Sequence, residues 1–279
     1  AEAKRCAERV VSRMKPDDVV SLVAFDWRAS VLWPATEVGD GRGLLDAIAT
    51  IAPVKTSGMT NLLGGWRAGL RALDRRKEIN FRRVFLMSDG FVNRGVTDAA
   101  QIAEECARGA GIGVGTSTYR IGPGPGNGLM TSMARAGRGR GYDQDRDEDR
   151  LAPFEQELAL LENLALIDPI LQISATEEGC TLELVNDLTR LDRNFFLPPV
   201  AWGGEAWVAL RVHVPKSCVS GYASEIDLLR VRGEALAVDD SLVWLGGSGL
   251  PLPLLSIEEW DALEEDELVS RRFAEAQAR

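Results

Sequence analysis

Arg82 to Gly90 reads RRVFLMSDG. Val84, Phe85, Leu86 and Met87 form an unbroken apolar run that ends in an acid, and a run apolar on both faces is the pattern of a central parallel strand. Each buried large apolar side chain stabilises by roughly 1.5–3 kcal/mol, so four in succession anchor a sheet interior. Ser88 and Asp89 then emerge at the carboxyl end of that strand, where open α/β sheets bind their ligands. Taken alone, S-D-G also reads as a simple turn closed by Asp89 and Gly90. The flanking sequence decides between the two.

Upstream, Ala3, Cys6, Ala7, Val10, Val11 and Met14 follow helical spacing, and Pro16 and Asp17 end that pattern ahead of the buried strand VVSLVAF, Val19 to Phe25. Asp26 and Trp27 turn the chain, and the alternation of Ala29, Val31 and Trp33 with Arg28, Ser30 and Leu32 predicts a strand hairpinned against its predecessor. Leu44, Ile48 and Ile51 mark a second helix. After a loop from Pro53 to Met59, with Thr60 at the entrance, Leu62, Trp66, Gly69, Leu70 and Leu73 mark a third. Downstream, Thr97 is placed to cap a helix with inner face Ala99, Ile102, Ala103 and Cys106, and Gly109 and Gly111 let the chain reverse into a strand from Ile112 to Ile121. A short helix around Met130, a brief strand at Gly141 and Tyr142, and a helix through Leu158 and Leu161 follow. Strands alternating with helices predict a doubly wound, mostly parallel sheet with helices on both faces.

From Asp168 the pattern changes. Ile170 to Ala175, Thr181 to Val185, Asn194 to Leu197, Ala206 to Val214 and Ile226 to Arg232 are short strand-like runs with no helix between them, the signature of an all-β sandwich. The tail from Ser256 to Arg279 reads as a helix with eight acids against three arginines. Its apolar stripe, Leu268, Val269 and Phe273, is expected to dock on the sandwich rather than on a partner helix. The expected organisation is therefore an α/β domain over 1–166, a β-sandwich over 167–255 and an acidic helix over 256–279.

Composition narrows the function. The chain has 279 residues, 45% hydrophobic, with 42 acids against 32 bases and a net charge of −10. That excess of acid repels a phosphate backbone, so nucleic acid is not an expected partner. No run approaches a membrane span or a signal peptide. Cys6, Cys106, Cys180 and Cys218 are scattered without a C-x-x-C pair, the pattern of free thiols in a reducing compartment, which favours the cytoplasm.

S-G-M-T-N-L from Ser57 and V-F-L-M-S-D-G from Val84, in this order and spacing, resemble the von Willebrand factor type A (vWA) domain, and bacterial members look most similar. The likeness covers about residues 1–166 and continues through D-G-F-V-N-R-G-V-T-D, Asp89 to Asp98. It implies a metal-ion-dependent adhesion site built from three loops, to which Thr60 gives the second-loop hydroxyl and Asp89 the third-loop carboxylate. Mg²⁺ or Mn²⁺ suits such hard oxygen ligands. The family's first loop, D-x-S-x-S after its first strand, has no matching position here. The chain also opens at Ala1 already in a helical pattern, so it is expected to be amino-terminally truncated and to bind metal weakly or not at all by itself. The family's sheet order places the absent strand between Val19–Phe25 and Val84–Met87. Either a gap or a direct pairing of those strands is then expected, together with aggregation through the open edges.

Other chemistries fit less well. His213, the one histidine, shares a strand face with Arg211 and Trp207 and reads as solvent-facing. The loop Gly122 to Gly128 resembles a phosphate cradle only superficially, since Pro123 and Pro125 lack the N–H groups. G-I-G-V-G from Gly111 reads as the interior of a strand rather than the opening of a helix. The run Asp143 to Arg150 reads as a solvated loop. The expected function is a protein-interaction module, not an enzyme, whose intact form captures a partner carboxylate through Mg²⁺ or Mn²⁺. The alternatives are a metal-independent scaffold subunit and a hydrolase using a metal-activated water at Asp89, for which no general base is evident.

Overall fold

The computed structural model describes residues 2–50, 58–74, 81–121, 128–142, 152–219, 224–239 and 241–277. The chain divides into two compact units, Ala1–Asn163 and Leu164–Arg279. The loops at Gly122–Gly128 and Asp143–Arg150 lie almost wholly outside the described residues.

The first unit runs α1 (Glu2–Arg13), β1 (Val19–Phe25), β2 (Ala29–Glu37), α2 (Arg42–Thr50), α3 (Leu62–Asp74), β3 (Arg82–Ser88), α4 (Ala99–Gly111), β4 (Val114–Arg120), α5 (Gly128–Ala136), β5 (Gly141–Tyr142) and α6 (Ala152–Glu162). Strands β3, β4 and β5 form a parallel sheet in that order, with α4 and α5 as its crossovers. Strands β1 and β2 form a separate antiparallel hairpin closed by Phe25↔Ala29. Of the two outcomes expected for β1 and β3, gap or direct pairing, the described residues show the gap. Helix α3 packs against both.

That gap changes the burial expected of the apolar runs. Val84 and Leu86 are buried, but Phe85 and Met87 on the opposite face of β3 are only partly so, and all seven residues of β1 are partly exposed. The covered face meets Trp66, Leu63, Ile102, Cys106 and Met133, where Trp66 is fully buried and its indole N–H donates to Thr116 Oγ1 at 2.9 Å. The other face meets Tyr119, Tyr142 and Leu158. Beside it lies a buried ion pair, Arg83 with Glu157, whose side chains are 5% and 2% exposed. Glu157 Oε1 accepts from Arg83 at 3.0 Å and from Ser117 Oγ at 2.8 Å, and Oε2 accepts from Tyr142 OH at 2.5 Å. A buried carboxylate is tolerable only when so supplied with donors.

Two local expectations are corrected. Asp98, not Thr97, caps α4, its carboxylate accepting from Gln101 N at 2.8 Å. Gly111 lies at the end of α4 rather than inside a strand, and Gly113, at φ +77°, makes the turn into β4.

The second unit is antiparallel: β6 (Leu164–Ala175), β7 (Thr181–Leu184), β8 (Thr189–Leu191), β9 (Asn194–Phe196), β10 (Val200–Ala201), β11 (Leu210–His213), α7 (Lys216–Val219), β12 (Glu225–Ala237), β13 (Leu242–Pro253), α8 (Ile257–Asp261) and α9 (Glu267–Gln277). One sheet has the order β13-β12-β6-β9-β8 with β10 on β6, a second pairs β11 with β7, and Ile173, Phe195 and Ile226 share a core with Leu182, Leu210 and Val212. The strand expected over 206–214 covers only Leu210–His213, and His213 is exposed on it. The tail is two helices instead of one. Asp266 accepts from Val269 N at 3.0 Å and so starts a new helix, as a short polar side chain in a like-charged run favours. Helix α9 docks through Phe273 and Arg272, with Arg272 over the Trp207 ring at 5.1 Å and Arg211 over Phe273 at 5.6 Å, whereas Leu268 and Val269 of the expected stripe are 54% and 59% exposed.

Candidate functional site

Three loops meet where β1 and β3 end. The first is the turn after β1, in which Asp26 Oδ1 accepts from Arg28 N at 2.8 Å. The second is Gly58 to Asn61, leading into α3. The third follows β3 from Asp89 to Asp98. Backbone hydrogen bonds join them: Asn61 N donates to Asp26 O at 2.7 Å, and Asn93 N and Arg94 N both donate to Thr60 O at 3.2 Å. Side chains add to this, since Asn93 Oδ1 accepts from Thr60 N at 2.8 Å and Asn93 Nδ2 donates to Gly58 O at 2.6 Å.

The residue that caps α3 is Asn61. Its Oδ1 accepts from Gly64 N at 2.9 Å, satisfying one of the orphan donors of the first turn. Thr60 is thereby released from the capping role its position suggests, and its hydroxyl has no hydrogen-bond partner among the described residues. Asp89 is exposed, and its Oδ1 accepts from Phe91 N at 3.1 Å in a tight turn that Gly90 completes at φ +82°. Thr60 is therefore bonded to the loop that Asp89 begins, while the Asp89 carboxylate retains lone pairs beyond its one local bond.

The donor chemistry of the pair is specific. A hydroxyl and a carboxylate are hard oxygens, the ligands Mg²⁺ and Mn²⁺ take, and two of them leave most of an octahedral shell to water or an incoming ligand. Among the described residues, no three His, Cys, Asp or Glu side chains gather into a group able to hold a metal. The Thr60 hydroxyl and the Asp89 carboxylate are two donors of the chemistry such a shell takes, fewer than it needs.

Asn61 and Asn93 do most of the positioning, and neither stood out in the sequence. The signal for Asn61 was its place immediately before the apolar spacing of α3. Asn93 had no local signal, because its bonds reach back to the second loop.

No family model matches the chain. It is 30% identical over 95 residues to an uncharacterised protein of Synechocystis, sll0103, a match that spans 34% of this chain and 22% of that protein. Among solved structures it is similar to a von Willebrand factor type A protein from Catenulispora acidiphila, with TM-score 0.67 and 15% identity, over 89% of this chain and 60% of that one. The human COPII-coat protein Sec24c matches at TM-score 0.54 and 11% identity, over 90% of this chain and 41% of Sec24c. The likeness to the Catenulispora acidiphila structure shows a vWA fold, in a chain that spans only part of the proteins it matches.

Proposed function

We propose that this vWA fold serves as a protein-interaction module whose contact surface is the loop cluster at the ends of β1 and β3. Thr60 and Asp89 would there supply ligands to Mg²⁺ or Mn²⁺. When bound, the ion supplies a positive charge that a partner carboxylate can coordinate. The observation that carries this reading is the Thr60 hydroxyl, without a hydrogen-bond partner among the described residues, on a loop bonded to the one Asp89 begins. The motif resemblance through Asp89 to Asp98 supports it.

The protein's own contribution is positioning. Asn61 fixes the start of α3, Asn93 holds the second loop against the third, and Gly90 turns the chain so that Asp89 stays open to solvent. A preorganised loop cluster lowers the ordering cost of binding. A second reading is a scaffold that binds without metal, since one hydroxyl and one carboxylate are few ligands for an octahedral ion. A hydrolase using a metal-activated water at Asp89 would need a general base beside it.

Capture of a candidate partner in Mn²⁺ and in chelator separates the two readings. Capture lost in chelator and in Asp89→Ala supports the metal-dependent module. Capture indifferent to both supports the scaffold.

A further inference from the structure

Two exposed features of the second unit complement each other. One is the outer face of β12 and its edge partner β13. Residues paired across strands share a face, so Arg232 stands beside Gly247, Arg230 beside Gly249, and Trp244 beside Glu234. A trough of about 530 Å³ on this surface is lined by Arg230, Arg232, Trp244 and Ser248. Asp227 lies over Gly249 and Glu234 sits on the same face, yet neither arginine forms an ion pair among the described residues. Trp244 is 61% exposed, and among the described residues β13 ends the sheet with its outer edge unpaired.

The other feature is α8 and the chain after it. Ile257, Trp260 and Leu263 recur every three residues and are 81%, 59% and 56% exposed. No residue of α8 is buried; a capping box between Ser256 and Glu259 holds its first turn. From Glu258 to Glu267 there are seven acids and no base. This is an acidic segment with an apolar stripe, the reciprocal of a trough with two unpaired arginines and an open indole.

Among the described residues no hydrogen bond or ion pair joins the segment to the trough of its own chain. Leu252 and Leu254, just before it, pack in the core on the inner face of the sheet, and α9, just after it, docks at Trp207 and Arg211. The trough lies on the outer face, where Arg232 pairs with Gln172, while Ile173 and Phe195 point inward.

We propose that the acidic segment 257–267 of one copy docks in the Arg230–Arg232–Trp244 trough of a second copy. Each copy offers one segment and one trough, so a two-fold axis satisfies both at once and the assembly closes as a dimer. Opposite charges steer the encounter and make it sensitive to salt, and the exposed Trp260 and Ile257 supply the apolar contact.

Light scattering of the whole chain after size exclusion tests this, with circular dichroism confirming the fold of each variant. Two sets of charge reversals are compared, Arg230→Glu with Arg232→Glu, and Glu258→Arg with Asp261→Arg, Glu264→Arg and Glu265→Arg, which turns the segment from seven acids to four bases against three acids. All six residues are exposed, and none belongs to the capping box. The expected result is a dimer at low salt whose association weakens about tenfold at high salt. Each reversed variant should be a monomer alone, and mixing the two should restore a dimer, because every trough then faces a segment of opposite charge. Monomers of the unaltered chain at low salt, or a dimer that survives both reversals, would overturn the proposal.

Discussion

Asn61 and Gly95 approach so closely that a Cβ on Gly95 would stand 2.4 Å from Asn61 Oδ1. Gly95 also has φ +71°, a conformation that costs a residue with a side chain. Gly95→Ala should therefore lower the melting temperature and loosen the third loop. Asn61→Ala should cost about 1 kcal/mol through loss of the cap on α3. In the Asn61→Ala background the clash is gone, so Gly95→Ala should cost less there than in the unaltered protein. Equal costs in a double-mutant cycle read by urea unfolding would contradict the contact.

The Arg83–Glu157 pair joins β3 to α6 inside the first unit. Removing one partner leaves a buried charge unsatisfied, so Arg83→Met should destabilise by about 3–5 kcal/mol. Arg83→Met with Glu157→Leu removes both charges and should recover much of that loss. If the double variant were less stable than Arg83→Met, the buried pair would not be the source of the effect.

Burial pushes the Cys106 thiol up to about 12. Burial, and then the hydrogen bond and charge of Cys218, raise Cys180 to about 11. A raised pKa depletes the thiolate, which is the reactive form. Alkylation of the native protein at pH 8 should thus be slow at Cys180 and slower at Cys106, then accelerate for Cys180 as pH rises toward 11. Rapid labelling of Cys106 at pH 8 without unfolding would show that its surroundings are open.

The gap between β1 and β3 predicts a pattern of hydrogen exchange. Strand β4 is paired with β3 and, at Thr118 and Tyr119, with β5, whereas β3 is paired on one side among the described residues. Amides of Val84 to Met87 should exchange faster than those of Thr116 to Tyr119. Equal protection in a monomeric sample would mean that the sheet closes across the gap.

Much of the α/β unit was legible because its elements carry strong local signals. The run Val84 to Met87 marked β3, and the spacing of Leu62, Trp66 and Leu70 marked α3. Strand β13 was not legible, since G-G-S-G and two prolines suppress strand propensity, and only antiparallel pairing with β12 holds it. Glu157 was hidden for a related reason: an acid beside Leu158 looks like helix surface until Arg83, far away in the chain, supplies its counter-charge. At the candidate site, Thr60 and Asp89 were visible as a motif. Asn61 and Asn93 stood inside the same stretches, but their role was not legible, because it is made by hydrogen bonds between loops that no local pattern encodes.

The central claim is that Thr60 and Asp89 act together as ligands of a divalent ion. Titration of the whole chain with Mn²⁺, followed by electron paramagnetic resonance of the free ion, tests it most directly. With two protein oxygens the account predicts weak, saturable binding, on the order of millimolar, tightened by an added carboxylate and lost in both Thr60→Ala and Asp89→Ala. Binding that is the same in the unaltered chain and in both variants would contradict it.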